Sequence, residues 1–231
     1  AAHDLLEDFI TRKLDGYDTR RNDPTVDGSS RLSAHLHYGH LSPLTAALAA
    51  REHPGPDTDA FLEELIVRRE LSFNYTTYNP DYDRYAGLPA WARATLEEHA
   101  GDRRDHTYTR AQLDAAQTHD PYWNAAQRQM TRTGRMHNYM RMYWGKKVLE
   151  WTPTPQQAFN TLLWLNNRHE QDGRDPNSWV GVGWVFGLHD RPWGPRPVYG
   201  NVRSLGAATL KKFDADGYVR EVERLAAEER S

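Results

Sequence analysis

Apolar residues recur at helical spacing along this chain, and the alternating pattern of a β-strand is nearly absent. Leu5, Phe9 and Ile10 share one face of a first helix, and an apolar stripe over 61–71 follows the breaker PGP at 54–56. Further helices are predicted near 89–100, 121–133, 137–150, 155–169 and 214–229, and long loops at 76–88 and 185–201. Because the 231 residues hold no repeat or linker, the pattern predicts an all-α fold with one domain over 1–231.

The composition excludes several classes of protein. The chain has no cysteine, which excludes disulfides, cysteine zinc sites, thiolate nucleophiles and iron–sulfur clusters. No segment approaches the roughly 18 consecutive apolar residues of a membrane span. The start, AAHDLLEDFI, lacks the basic segment and apolar run of a signal peptide. No membrane association is therefore predicted.

Basic residues are concentrated in two segments, although the net charge is only −3. No acidic residue occurs from Pro121 to Leu149 or from Arg191 to Phe213, and both segments carry arginine and lysine. Such segments predict a cationic face that binds phosphates. The alternative, that neighbouring elements supply the compensating carboxylates in space, remains open.

One predicted helix carries an arginine within an aromatic stripe. The stripe consists of Arg141, Trp144, Val148 and Trp151, spaced three, four and three residues apart. A buried guanidinium needs a carboxylate or an anionic ligand. Asp172 and Asp175, in the loop QDGRDPN, are the candidate partners.

Three serines, Ser29, Ser30 and Ser33, cluster just before another predicted helix. Hydroxyls and free N–H groups at a helix start bind phosphates, and a plain N-cap by Ser33 is the alternative. The nearby His35 and His37, with His40, are spaced two and three residues apart, so they do not share one helical face and no metal site is predicted.

Several motifs, in register along the chain, resemble the class II cyclobutane pyrimidine dimer photolyases. Each motif alone is weakly specific, but together they cover the chain from about Tyr17 to Phe213. They are RNDP (21–24), LSAHLHYG (32–39), EELIVRRE (63–70), THDPYWNAAQ (118–127), TGRMHNYMRMYWGKKVLEW (133–151), LNNRHEQDGRDPN (165–177) and GLHDRPWG (187–194).

The resemblance implies a helical domain of the photolyase/cryptochrome type that binds FAD, active in its reduced form, without a metal. Arg141 and Asp172 match a pair beside the flavin ring, and Asn166 matches an amide near flavin N5. The positions that match cofactor contacts are Tyr17, Ser29, Ser30, Arg31, Leu32, Ser33, Arg141, Asn166, Asp172, Gly173 and Arg174.

The implied activity is light-driven repair, in which photoexcited reduced FAD gives an electron to a dimer flipped out of UV-damaged DNA. Positions at the lesion or the DNA are Glu64, Arg68, Asn138, Met142, Trp184, Arg191, Trp193 and Arg203. Trp144 and Trp123 match the inner and outer members of a tryptophan relay that photoreduces the flavin, and Trp151 matches a further position. Core packing is the alternative role for these tryptophans.

Some features depart from the family's pattern. Asn138 replaces a small glycine, Phe73 and Asn167 replace aspartates, and Ala34 replaces a proline. An N-terminal α/β domain that docks an antenna chromophore is expected to be absent. The protein is expected to be monomeric and cytoplasmic, with DNA as its partner. The alternatives are a cryptochrome-like photoreceptor and a non-catalytic FAD-binding remnant.

Overall fold

The computed structural model describes residues 1–228, in which helices are joined by loops and no strand occurs. The all-α prediction is confirmed for these residues. The α-helices are α1 (Ala2–Asp8), α2 (Tyr17–Arg20), α3 (Ser33–His37), α4 (Pro43–Arg51), α5 (Pro56–Leu62), α6 (Arg69–Tyr78), α7 (Ala90–Glu98), α8 (Arg110–Asp114), α9 (Pro121–Thr133), α10 (Asn138–Trp151), α11 (Pro155–His169), α12 (Pro176–Val185) and α13 (Ala215–Glu228). Phe9–Lys13 and Glu63–Arg68 are π-helical, and Tyr85–Gly87 and Ala207–Lys212 are 3₁₀.

Three of the helices start in the same way, with a capping side chain directly before a proline in the first turn. Asp120 caps α9, Thr154 caps α11 and Asp175 caps α12, each by accepting hydrogen bonds from backbone N–H groups of that turn. These caps explain why the predicted helices 121–133 and 155–169 begin where expected. Both helices also end at the predicted residues.

Two hydrophobic cores organise the chain. The first uses residues of the N-terminal 65, where Phe9 packs 4.6 Å from Phe61 and 5.5 Å from Tyr17 between ring centroids. The second is larger, extends from Leu88 to Val222 and centres on α9 to α12. No helix among the described residues is both long and apolar enough to span a bilayer.

The stripe over 61–71 differs from its prediction. Phe61 and Leu65 are buried, but Ile66 and Leu71 are 46% and 43% exposed. Ile66 directly follows Leu65 and therefore points to a different side of the helix. The segment Glu63–Arg68 is also π-helical, so the α-helical spacing assumed between residues 61 and 71 does not hold there. The same segment carries Glu64.

Candidate functional site

A cavity of about 890 Å³ is lined by residues of both cores and is at the large end of small-ligand sites, about 300–1,000 Å³. Phe61 and Leu65 come from the first core, and Met136 and Val180 from the second. The predicted site residues that line the cavity are Tyr17, Ser29, Ser30, Arg31, Leu32, Ser33, Glu64, Arg68, Asn138, Arg141, Met142, Asp172 and Trp184.

Arg141 faces this cavity with two carboxylates beside it. Its Nη2 lies 3.0 Å from Glu170 Oε1 and 3.8 Å from Asp172 Oδ1. The Arg141 Nε and Asp172 Oδ1 atoms are buried and make no hydrogen bond with a described residue. The sequence indicated Asp172 or Asp175 as the partner, and Glu170 was not among the candidates. The sequence held a signal for Glu170 as a partner, because this residue lies between the last helical residue, His169, and the Asp–Gly turn.

Burial raises the pKa of Glu170 to about 7, and nearby Asp172 adds to the shift while Arg141 opposes it. The side chain of Glu170 is 1% exposed. A carboxyl with this pKa keeps its proton for part of the neutral range, so the charge at this end of the cavity changes with pH.

We expect Glu170→Gln to remove a pH dependence of stability. The pKa of Glu170 is raised from 4.5 to about 7 in the folded chain, so its contribution is complete below pH 4.5 and is lost as pH rises through about 7. Glutamine mimics the protonated carboxyl. The variant's free energy of unfolding should match wild type near about pH 4 and exceed it by about 3 kcal/mol near about pH 8.

Urea unfolding of the ligand-free chain at both pH values measures this difference. Burial lowers the pKa of His137 to about 4, so its contribution to stability changes with pH in the opposite direction. Because His137 is present in both proteins, that contribution cancels in the difference between variant and wild type. A variant-minus-wild-type difference that does not change with pH would contradict the raised pKa of Glu170.

The serine segment lies along another wall of the cavity. The backbone N–H groups of Ser29, Ser30, Arg31 and Leu32 donate no hydrogen bond to another described residue. Arg31 has a φ of 56°, in the left-handed region, which turns successive N–H groups together. Leu32, not Ser33, occupies the N-cap position of α3 and makes no side-chain cap. The alternative role of Ser33 as an N-cap is therefore not observed.

The predicted lesion residues lie together. Arg21 Nη1 donates to Glu64 Oε1 at 2.5 Å, a contact that was not predicted from the sequence. The Arg68 guanidinium lies 5.8 Å from the Trp184 ring centroid. Trp184 Nε1 is buried with no hydrogen-bond partner among the described residues. This region therefore combines the Glu64 carboxylate as an acceptor, two arginine cations, and the Trp184 ring with its free N–H donor.

The three predicted relay tryptophans, Trp144, Trp123 and Trp151, pack in the second core and do not line the cavity. Trp144 and Trp123 are nearly parallel, with ring centroids 6.4 Å apart and an interplanar angle of 13°. Trp151 lies 5.7 Å from Trp123. All three are buried, and Trp151 contacts Tyr108 at 5.4 Å and His119 at 5.2 Å. The rings form a continuous aromatic column.

Three predicted cofactor residues do not line the cavity. Asn166 is buried on α11 and donates to Ser178 Oγ at 2.5 Å. A Cβ on Gly173 would lie 3.0 Å from the Glu170 carbonyl oxygen, so this glycine permits a tight turn after α11. Arg174, with a φ of 71°, is exposed. The turn thus brings Asp172 to the cavity. The cofactor roles of Asn166, Gly173 and Arg174 stay predictions.

In the predicted DNA loop, the Trp193 ring lies close to two arginines. The Arg203 and Arg191 guanidinium carbons lie 4.9 and 5.5 Å from its ring centroid. Trp193 N donates to Asn201 O at 2.8 Å, and Asn201 N donates to Thr95 Oγ1 on α7 at 3.0 Å. The loop is thereby anchored to the second core while its aromatic tip is 39% exposed.

The histidine cluster is divided. His35 and His40 have Nδ1 atoms 3.4 Å apart, whereas His37 Nδ1 lies 3.2 Å from Asp175 Oδ2. In the part of the chain that the structure describes, no group of three or more histidine or carboxylate side chains is placed to hold a metal ion.

Comparison with solved structures identifies the fold. A class III photolyase from Agrobacterium tumefaciens superposes with a TM-score of 0.73 and 24% identity, over 96% of this chain and 44% of that one. A cryptochrome from Synechocystis superposes with a TM-score of 0.69 and 18% identity, over 95% of this chain and 44% of that one. The fold is therefore that of the helical domain of photolyases and cryptochromes.

Curated sequences that resemble this chain share one name. Deoxyribodipyrimidine photo-lyases from Oryza sativa, Methanothermobacter thermautotrophicus and Potorous tridactylus are 50%, 48% and 42% identical, over 95%, 97% and 94% of this chain. Over nearly its whole length the chain is similar to these photo-lyases, and the predicted resemblance is confirmed. It spans 45%, 50% and 42% of these relatives. No protein-family model matches the chain. Assignment to class II and the absence of an N-terminal antenna domain stay predictions.

Proposed function

We propose that the chain binds FAD in the cavity between its two cores and repairs cyclobutane pyrimidine dimers in DNA under light. The observation that carries the proposal is that one cavity is lined both by residues that match flavin positions and by residues that match lesion positions. Relatives named deoxyribodipyrimidine photo-lyase, at 42–50% identity, support the same activity.

The residues present fit FAD. The free N–H groups of Ser29 to Leu32 suit its pyrophosphate, because successive backbone N–H groups form an anion-binding concavity. The unpartnered Arg141 Nε and Asp172 Oδ1 suit the polar edge of its ring. Bound and reduced, FAD would supply after excitation the electron that splits the two C–C bonds of the dimer and then returns.

The chain's own residues would bind and orient the lesion. Glu64 offers a carboxylate to the pyrimidine edges, and Arg21 holds that carboxylate at 2.5 Å. Met142 and Trp184 supply apolar and aromatic surface against flipped bases. Flipping costs a few kcal/mol, least for a lesion that stacks poorly. The acid-free segment 191–213 would bind the phosphates of the duplex.

The aromatic column has a separate role in the proposal. Trp144 follows Arg141, a residue of the cavity wall, by about one turn of α10. Trp123 is next in the column, with its ring centroid 6.4 Å from that of Trp144. Trp151 follows, 5.7 Å from Trp123. These tryptophans would pass electrons toward the flavin and restore its reduced form.

The test is light-dependent restoration of a dimer-containing oligonucleotide by the FAD-loaded, chemically reduced chain. Repair is expected under blue light and not in the dark. Glu64→Ala should lower the preference for damaged over undamaged DNA by about tenfold or more, the order of a lost base-edge contact. Glu70→Ala, an exposed neighbour outside the cavity wall, is the matched control. A reduced, flavin-loaded chain that leaves dimers intact under light would refute the enzyme and favour a photoreceptor.

A further inference from the structure

One titratable side chain of the large cavity, the cavity of about 890 Å³, has no task in the proposed function. Glu170 lines this cavity, and its side chain is 1% exposed. Neither of its carboxylate oxygens makes a hydrogen bond of normal geometry with a described residue. Because a buried carboxylate that lacks hydrogen bonds is costly to ionise, Glu170 is a position where the cavity can gain or lose one charge.

The charge of Glu170 decides the total charge of the cluster around Arg141. The Arg141 Nη2 atom lies 3.0 Å from Glu170 Oε1 and 3.8 Å from Asp172 Oδ1. With both carboxylates ionised, one cation faces two anions, and the cluster carries one net negative charge. With Glu170 protonated, the cluster is neutral. At the low effective dielectric of a buried site, a further anion in the cavity is therefore repelled in the first state and tolerated in the second.

Two other charged or titratable groups act on this cluster from the segment before α10. Arg135, which interacts electrostatically with Glu170, is a guanidinium and stays charged. His137 lies beside Arg141, and burial lowers the pKa of His137 to about 4, so it is neutral near about pH 7. Burial raises the pKa of Glu170 to about 7. Of Arg135, His137 and Glu170, it is Glu170 that changes charge in the neutral range.

We propose that Glu170 takes up a proton when the large cavity binds FAD in its reduced, anionic form. Proton uptake cancels the charge that the reduced ring adds, so the cavity holds the same total charge with either form of FAD. Ionised Glu170 would share Arg141 with Asp172 when the ring is neutral. Protonated Glu170 would no longer compete with the anionic ring for that guanidinium. The inference deepens the proposed function and rests on it, because it concerns the same FAD site.

The electrons and protons of this step balance. Reduction of oxidised FAD to its anionic form takes two electrons from an external reductant and one proton from water. The Glu170 carboxylate takes a second proton from water, and its O–H bond is the only bond that forms in the protein. The chain should therefore take up two protons for each FAD reduced above about pH 7, where Glu170 starts ionised, and one proton below it.

The midpoint potential of the FAD-loaded chain, measured by mediated spectroelectrochemistry across a pH series, counts these protons. One proton per two electrons changes the equilibrium constant tenfold per pH unit, which is about 30 mV. The wild-type potential should fall by about 30 mV per pH unit below about pH 7 and by about 60 mV per pH unit above it. Glu170→Gln has no carboxylate to protonate, so its potential should fall by about 30 mV per pH unit throughout.

Glu150→Gln is the matched control. Glu150 is also a carboxylate beside a cation, 2.9 Å from Lys147 Nζ, but it lies outside the cavity wall. This variant should keep the steeper slope above about pH 7. A second readout needs no variant: anaerobic binding of reduced FAD to the wild-type chain should weaken by about tenfold per pH unit above about pH 7, and binding of oxidised FAD should weaken less.

A wild-type slope of about 30 mV per pH unit throughout, or a steeper slope that persists in Glu170→Gln, would overturn the inference. If that wild-type chain still repaired dimers under light, the repair proposal would stand without the proton uptake. If the steeper slope were confirmed in a chain that left dimers intact, the repair proposal would fail and the proton uptake would stand. A folded chain that bound no FAD would overturn both.

Discussion

Replacing Arg141 with methionine is expected to destabilise the chain by about 3 kcal/mol and to weaken FAD binding by about tenfold or more. Without the guanidinium, the buried Glu170 and the half-buried Asp172 lose the cation that now lies 3.0 and 3.8 Å from their carboxylate oxygens. The expected loss of FAD affinity follows because Arg141 Nε is an unpartnered donor facing the cavity. Thermal unfolding and FAD titration measure the two effects.

A double variant separates these two effects. Arg141→Met with Glu170→Met removes one carboxylate together with its cation, and such replacements of buried ion pairs are often neutral or stabilising. We expect its melting temperature to return toward wild type while FAD affinity stays low. If Arg141→Met alone kept both wild-type stability and wild-type FAD affinity, the assignment of this ion pair to the cofactor site would be wrong.

Trp144→Phe is expected nearly to abolish photoreduction of oxidised flavin while leaving repair by the chemically reduced chain largely intact. Phenylalanine keeps most of the packing but is much harder to oxidise than tryptophan. It also leaves Gln127 Oε1, which now accepts from Trp144 Nε1 at 2.8 Å, without its donor, at a cost of about 1–3 kcal/mol. The readout is the loss of the flavin's visible absorption under blue light with an external reductant.

Trp164→Phe is the matched control for this experiment. Its ring lies between Arg110 and Arg168, at 4.7 and 5.0 Å from the guanidinium carbons, and contacts none of the three tryptophans of the column. It should photoreduce like wild type. A Trp144→Phe chain that photoreduces at the wild-type rate would remove Trp144 from the relay and leave it as a core residue.

The helical class and most long helices were predictable from apolar spacing, but α12 was not. Its sequence, PNSWVGVGWV, is apolar on nearly every side, and Val180, Val182 and Val185 are all buried. A helix enclosed by its neighbours needs no single apolar stripe, so the period that indicates a surface helix is missing. Helices of four or five residues, such as α2 and α8, are too short to show a period at all.

The charged end of the cavity was half predictable. The helical stripe indicated that Arg141 needed a carboxylate, and Asp172 was one of two candidates. Sequence spacing did not identify Glu170 as the nearer partner, because the approach of α10 to the end of α11 is set by packing. Likewise, the Arg21–Glu64 pair joins positions 43 residues apart and was not visible from local patterns.

The visible absorption spectrum of the purified chain tests the central claim most directly, since every role assigned to the large cavity requires flavin there. The chain, supplied with FAD and passed through a desalting column, should retain a flavin spectrum at about one FAD per chain by stoichiometric occupancy of a single site. Arg141→Met should lose it. A folded chain that stays colourless and does not take up added FAD would contradict the account.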